Sequence, residues 1–127
     1  MRLRALSQPI CRLFFKPGVV LMDRIATFEA MLARGQDSAL LRYGLGQAYL
    51  EAGDLARANQ HLAEAVKQDG NYSAAWKLYG KALAACQRED EAIAAYDRGI
   101  AVAEARGDIQ AAKEMTVFRK RLLKKHT

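Results

Sequence analysis

The clearest hydrophobic pattern lies late in the sequence, where Ala111, Met115, Phe118 and Leu122 recur at intervals of 4, 3 and 4 residues while Lys113, Lys120 and Lys124 face away. Such spacing places one apolar stripe along a helix. Upstream, alanine and leucine dominate everything after Gly18, β-branched residues are scattered, and no two-residue alternation is sustained. The predicted fold is therefore all-α. Both prolines, Pro9 and Pro17, precede this stretch, which lacks the residue that most strongly breaks helices.

Turn chemistry divides the stretch. Gly35-Gln36-Asp37-Ser38, Gly53-Asp54, Asp69-Gly70-Asn71 and Gly107-Asp108 each combine a residue tolerant of left-handed backbone with a side chain able to cap the next helix. Gln87 to Asp90 marks a weaker turn. These breaks predict helices near 22–34, 38–52, 55–68, 72–86, 89–106 and 108–124. Short loops make consecutive helices antiparallel neighbours.

The sequence also repeats itself. A shift of 34 residues places Gly46 over Gly80 and Ala58 over Ala92, and puts Phe28, Leu62 and Tyr96 in one column and Met31, Ala65 and Gly99 in another. Glycine within a helix costs about 1 kcal/mol relative to alanine, so Gly46 and Gly80 need the close approach of a neighbouring helix. Bulky Trp76, Tyr79, Tyr49, Leu62 and Tyr96 are expected to fill the space around them.

Residues 39–72 read Leu45-Gly46-x2-Tyr49, then Ala58-x3-Leu62 and Ala65; residues 73–106 read Trp76-x2-Tyr79-Gly80-x2-Leu83, then Ala92-x3-Tyr96. This arrangement resembles the tetratricopeptide repeat. Departures are Arg42 in place of the first tryptophan, Gly70 and Glu104 at the terminal proline, and Gln87 at the loop glycine. The resemblance covers 39–106 and more faintly 22–38. It implies antiparallel helix-turn-helix units stacked as a short right-handed α-solenoid, whose exposed ends need covering. The expected organisation is a half repeat over 22–36, repeats over 39–72 and 73–106, and a capping helix with a basic tail over 107–127. Ile25, Phe28 and Met31 would close one end, and the stripe from Ala111 to Leu122 the other.

Charge separates the ends from the middle. Of the net charge of +6, residues 1–22 contribute +4 and 113–127 contribute +5, while 23–112 carry −3. Residues 1–21 are acid-free and broken by Pro9 and Pro17. They read either as a targeting peptide or as an unstructured extension ahead of a start at Met22. No run approaches the roughly 18 apolar residues of a membrane span, and reduced Cys11 and Cys86 fit a cytoplasmic protein better than a secreted disulfide scaffold.

Catalytic and cofactor chemistry finds no foothold. Cys11, Cys86, His61 and His126 lack metal-ligand spacing. Glu89, Asp90 and Glu91 fall in a first helical turn, where the helix dipole favours acids. Phosphate-loop, nucleophile-elbow and dinucleotide motifs are missing. Neither an enzyme nor a cofactor is expected.

Function is then expected on the face that the core leaves free. Leu45, Gly46 and Tyr49 point to the packed side, while Leu40, Tyr43, Gln47, Leu50 and Glu51 project away, as do Ala74, Lys77, Lys81, Ala84 and Ala85 in the next unit. In the family it resembles, this face lines a concave groove for peptides or partner helices. The implied activity is that of a protein-binding adaptor. Tyr43 and Leu50 would supply apolar contact, and Lys77 with Lys81 would meet a carboxylate or acidic side chain. Gln47 and Lys81 replace the asparagines of carboxylate-clamping members, which argues against chaperone tails. A nucleic-acid reading through Arg119, Lys120, Arg121, Lys124 and Lys125 is disfavoured by the acidic middle. A third reading is weak self-association through a partly apolar groove or end.

Overall fold

The computed structural model describes residues 17–125, with side chains from residue 21 onward. The helices are α1 (Pro17–Ala33), α2 (Ala39–Ala52), α3 (Leu55–Gln68), α4 (Ser73–Ala85), α5 (Glu89–Arg106) and α6 (Ile109–Lys125). No strand occurs among the described residues. Cys11, His126 and most of the basic extension, residues 1–16, lie outside them.

The helix ends follow the turn chemistry. Ser38 accepts from Leu41 N at 3.1 Å, Asp54 accepts from Arg57 N at 3.2 Å, and Asp108 accepts from Ala111 N at 3.3 Å, each satisfying an amide that has no partner within its helix. Gly53 ends α2 with φ 88°. In the following unit Gln87 occupies the same place with φ 66°, a left-handed backbone that a side chain disfavours. One boundary differs from expectation: α1 begins at Pro17 instead of near residue 22. Proline is well tolerated in the first helical turn, where its missing amide would have had no intrahelical partner.

The most extensive contacts join α2 to α3, α4 to α5, and α5 to α6. The repeated glycines explain the first two. A Cβ on Gly46 would come within 2.6 Å of Leu62 Cδ2, and one on Gly80 within 2.7 Å of Tyr96 Cδ1. Leu62 and Tyr96 therefore fill the glycine notches. Tyr79 serves elsewhere, half-buried beside Trp76 with ring centroids 6.3 Å apart. Trp76 itself is anchored by donating Nε1 to the Gly70 carbonyl at 2.8 Å.

Two apolar clusters result. Leu41, Leu45, Tyr49 and Ala58 pack with Ile25, Phe28 and Met31 of α1. The larger cluster runs from Ala65 and Trp76 through Leu83 and Tyr96 to Ala111, Met115 and Leu122, with Phe118 against its edge. The stripe on α6 thus closes the stack as expected. Its opposite side is less polar than expected, because Ile109, Val117 and Leu123 stand 54%, 45% and 47% exposed beside the lysines.

Register changes at α6. Gly46 and Gly80 are each the eighth residue of their helix, and the eighth residue of α6 is Thr116. A strict 34-residue step would instead bring Glu114 to that place. The difference arises because α5 has 18 residues where α3 has 14, only partly offset by a shorter turn into the next helix. Helices α2, α4 and α6 are therefore equivalent when counted from their own starts.

Candidate partner-binding groove

Helices α2 and α4 carry the predicted groove residues, and the structure treats them unequally. Leu40 is 71% exposed and Gln47 is exposed. Tyr43 is half-buried, its ring 5.0 Å from that of Tyr72. Leu50 packs on the cluster shared with α1. Glu51 accepts from Arg24 Nη2 at 2.6 Å, so α1 already supplies its cation.

On α4, Lys77 Nζ donates to Glu114 Oε1 of α6 at 2.6 Å. Together with Gln110 Nε2 at 3.3 Å, this bond holds the Glu114 carboxyl below its usual range, the Lys77 bond contributing most. Lys77 is therefore engaged within the fold, and Lys81 is not its equal. Lys81 Nζ sits 5.6 Å from the centre of the Phe118 ring and makes no ion pair among the described residues. A cation on that ring face gains a modest attraction while remaining exposed to an incoming acid.

Counting from helix starts extends the groove face onto α6 as Lys113, Val117, Lys120 and Arg121. The sequence pattern missed these because the longer α5 displaces them by two residues. Of the cations suggested for nucleic acid, Arg119 pairs with Asp97 and Lys125 with Glu89, both at 2.6 Å. Arg121 lies 5.9 Å from the Phe118 ring centre, and Lys120 and Lys124 are exposed.

A polar cluster that the sequence did not reveal joins α1, α2 and α3. Tyr49 donates to Glu29 Oε2 at 2.5 Å, and its ring stacks on His61 with an interplanar angle of 1°. His61 is 8% exposed. Arg42 Nη1 lies 3.2 Å from His61 Nδ1 and can only donate, so that ring nitrogen accepts and the imidazole is neutral. Burial lowers the His61 pKa, outweighing Glu29, whose carboxylate is 3.7 Å from Nε2. Burial first, then the Glu29 bond, pushes the Tyr49 phenol up to about 12. Arg42 also grips Asp37 with two nitrogens at 2.8 and 2.9 Å. That grip, with Gln68 second, holds the Asp37 carboxyl far below its usual range. Arg42 stands where the second unit has Trp76 and secures the turn before α2 by charge where Trp76 uses an indole.

Among the described residues no group of three or more His, Cys, Asp or Glu is placed to hold a metal ion. Of the Glu89–Glu91 acids, Glu89 is paired with Lys125 and Glu91 with Arg88. No helix of the described residues is long and apolar enough to cross a membrane.

Comparison with known proteins adds family to geometry. The profile described as Tetratricopeptide repeat matches residues 50–115, and a second of the same description matches 25–73. A TPR repeat-containing protein of Pseudomonas aeruginosa is 53% identical over 98 residues, spanning 77% of this chain and 93% of that one. The chain belongs to the tetratricopeptide-repeat family. Among solved structures, a Bordetella parapertussis protein superposes with a TM-score of 0.69 at 42% identity, covering 80% of this chain and 88% of the other. The TPR2B domain of yeast Sti1, solved in a complex with pHsp70, superposes with a TM-score of 0.78 at 13% identity, covering 97% and 98%; that likeness concerns the fold. Tetratricopeptide-repeat domains are in general protein-interaction modules, and this chain has their all-helical stacked architecture.

Proposed function

We infer that this tetratricopeptide-repeat protein is a non-catalytic cytoplasmic adaptor whose concave face, formed by α2, α4 and α6, holds an acidic peptide or helix of another protein. The observation that carries the reading is the bond between Lys77 and Glu114. A carboxylate from one helix already rests on the lysine row of the next, so that row has the reach and setting to hold carboxylates. Lys81, one turn further along α4 and in no ion pair among the described residues, is where an incoming carboxylate would bind. Exposed Leu40 and Gln47 on α2 supply apolar and amide contacts beside it. Lys113, Lys120 and Arg121 continue the positive character along α6. The complex of the Sti1 domain with pHsp70 concerns that protein alone, and at 13% identity it carries no ligand to this chain.

The test is affinity capture from the native cell with crosslinking, comparing wild type with Lys81→Glu and with Gln47→Glu. The expected result is loss of the same protein partner from both variants with the helical spectrum unchanged. An unchanged partner set in both variants would refute the groove assignment.

A further inference from the structure

We propose that the outward face of α6 is a second docking site, a socket for one amphipathic helix bearing acidic flanks, contributed by another protein. In each complete repeat the first helix receives its own second helix along one line. The residues of α2 on that line are Arg42, Gly46 and Tyr49, with Leu62 of α3 seated on Gly46; those of α4 are Trp76, Gly80 and Leu83, with Tyr96 of α5 seated on Gly80. Counted from the helix start, the same line on α6 passes through Ala112, Thr116 and Arg119, the last held by Asp97 at 2.6 Å, with Ile109 before it and Leu123 one turn beyond it. No helix among the described residues covers it.

The line has the features of a receiving surface. Glu104, Ile109, Ala112, Lys113, Thr116 and Val117 enclose a shallow depression of about 510 Å³. Two short side chains, Ala112 and Thr116, form its floor. Ile109 and Val117 line it as exposed apolar side chains, and past the ion-paired Arg119 Leu123 adds a further exposed apolar side chain two turns beyond Thr116. The Thr116 hydroxyl donates to the Ala112 carbonyl at 2.8 Å, so covering this residue leaves no hydrogen bond unmet. With threonine where the repeats have glycine, the incoming helix rides higher than α3 or α5 does, and half-exposed Ile109, Val117 and Leu123 fill that added height.

Charge selects the occupant. Lys113, Lys120 and Lys124 run beside the apolar line, against Glu104 as the one acid of the lining. A second copy of α6 would bring Lys113, Arg119, Lys120, Arg121, Lys124 and Lys125 with only Glu114, placing like charges together. Residues 1–16 of the same chain are apolar in part but carry Arg2, Arg4, Arg12 and Lys16 and no acid. Both are repelled. A partner helix with leucines at helical spacing and glutamates on either side meets the lysines and covers the apolar line, the helix-in-groove mode of recognition. This site adjoins the concave groove and shares Lys113, Val117 and Lys120 with it, while Lys81 on α4 belongs to the groove alone.

The probe is a fluorescent peptide of about five helical turns, built from leucine, alanine and glutamate with the glutamates flanking the leucine stripe. A twin has lysine in place of glutamate. Anisotropy with the full chain should show binding of the glutamate peptide and at least tenfold weaker binding of the lysine twin. Thr116→Trp, which fills the floor, should weaken the glutamate peptide tenfold or more, while Lys81→Glu leaves it unchanged. Lys113→Glu with Lys120→Glu should reverse the preference to the lysine twin, a gain that a misfolded protein cannot show. Four results would overturn the proposal. They are no binding of the glutamate peptide, equal binding of both peptides, no effect of Thr116→Trp, and either duplex DNA binding or a sedimenting dimer that Thr116→Trp abolishes.

Discussion

Gly80 of α4 lies under the aromatic ring of Tyr96 in α5, so close that a Cβ would stand 2.7 Å from Cδ1. The ring cannot swing away as the end of a flexible side chain would, because it is buried and also meets Phe118 of α6 at 5.8 Å between centroids. Gly80→Ala gains about 1 kcal/mol of helix propensity but forces overpacking that costs about 1–3 kcal/mol. The expected outcome is a net destabilisation of about 1 kcal/mol in urea unfolding. A variant more stable than wild type would show that the contact is loose.

Gln87 presents the opposite case. It adopts the left-handed backbone, φ 66°, that Gly53 adopts in the preceding repeat. A side chain in that conformation costs about 1–2 kcal/mol, and glycine's greater freedom in the unfolded chain returns roughly 0.5–1 kcal/mol of that gain. Gln87→Gly should therefore raise stability by about 0.5–1 kcal/mol. Thermal unfolding reads it directly as a higher midpoint; a lower one would mean that the Gln87 side chain makes a contact worth more than the strain.

How far the sequence reaches can be judged from these two places. Gly46 and Gly80 could be read as close-approach positions because the 34-residue shift also aligned the bulky Leu62 and Tyr96 opposite them. Gln87 was visible only as a missing glycine, since strain leaves no mark on residue type. The exposure of Leu40, Gln47 and Lys81 on α2 and α4 followed from helical geometry. The engagement of Lys77 did not, because its partner Glu114 lies in a third helix whose register depends on the length of α5. Nor did the Glu29, Tyr49 and His61 cluster, whose members come from three helices and form no local motif. Local pattern specified the elements, while contacts between elements depended on offsets that only the packed chain fixes.

His61 makes stability depend on pH with a definite sign. Burial lowers its pKa in the folded state, against the pulls of Glu29 and Asp37 and with those of Arg42 and Arg57. The unfolded chain then binds the proton more readily. The contribution of neutral His61 is complete above the free-imidazole value and is lost as pH falls from there to the lower folded value. His61→Gln should flatten the stability profile across that window in urea titrations. A slope that persists unchanged in the variant would assign the effect to another group.

Glu114 titrates as the partner of Lys77. Its folded pKa is depressed chiefly by that bond, so its contribution is present above the ordinary carboxylate value and disappears as pH falls through the lowered one. Carboxyl-carbon NMR should show Glu114 returning toward its ordinary value in Lys77→Met. No movement would mean that the two side chains are apart in solution.

The central claim is that the concave face binds another protein. A photo-crosslinking residue placed at Gln47, on the exposed groove face of α2, reads it most directly against the same residue at Gln60, exposed on α3. In the native cell, position 47 should yield a discrete adduct with a second polypeptide that Lys81→Glu abolishes, and position 60 should yield none. Equal adducts at both positions, or an adduct at 47 indifferent to Lys81→Glu, would contradict the account.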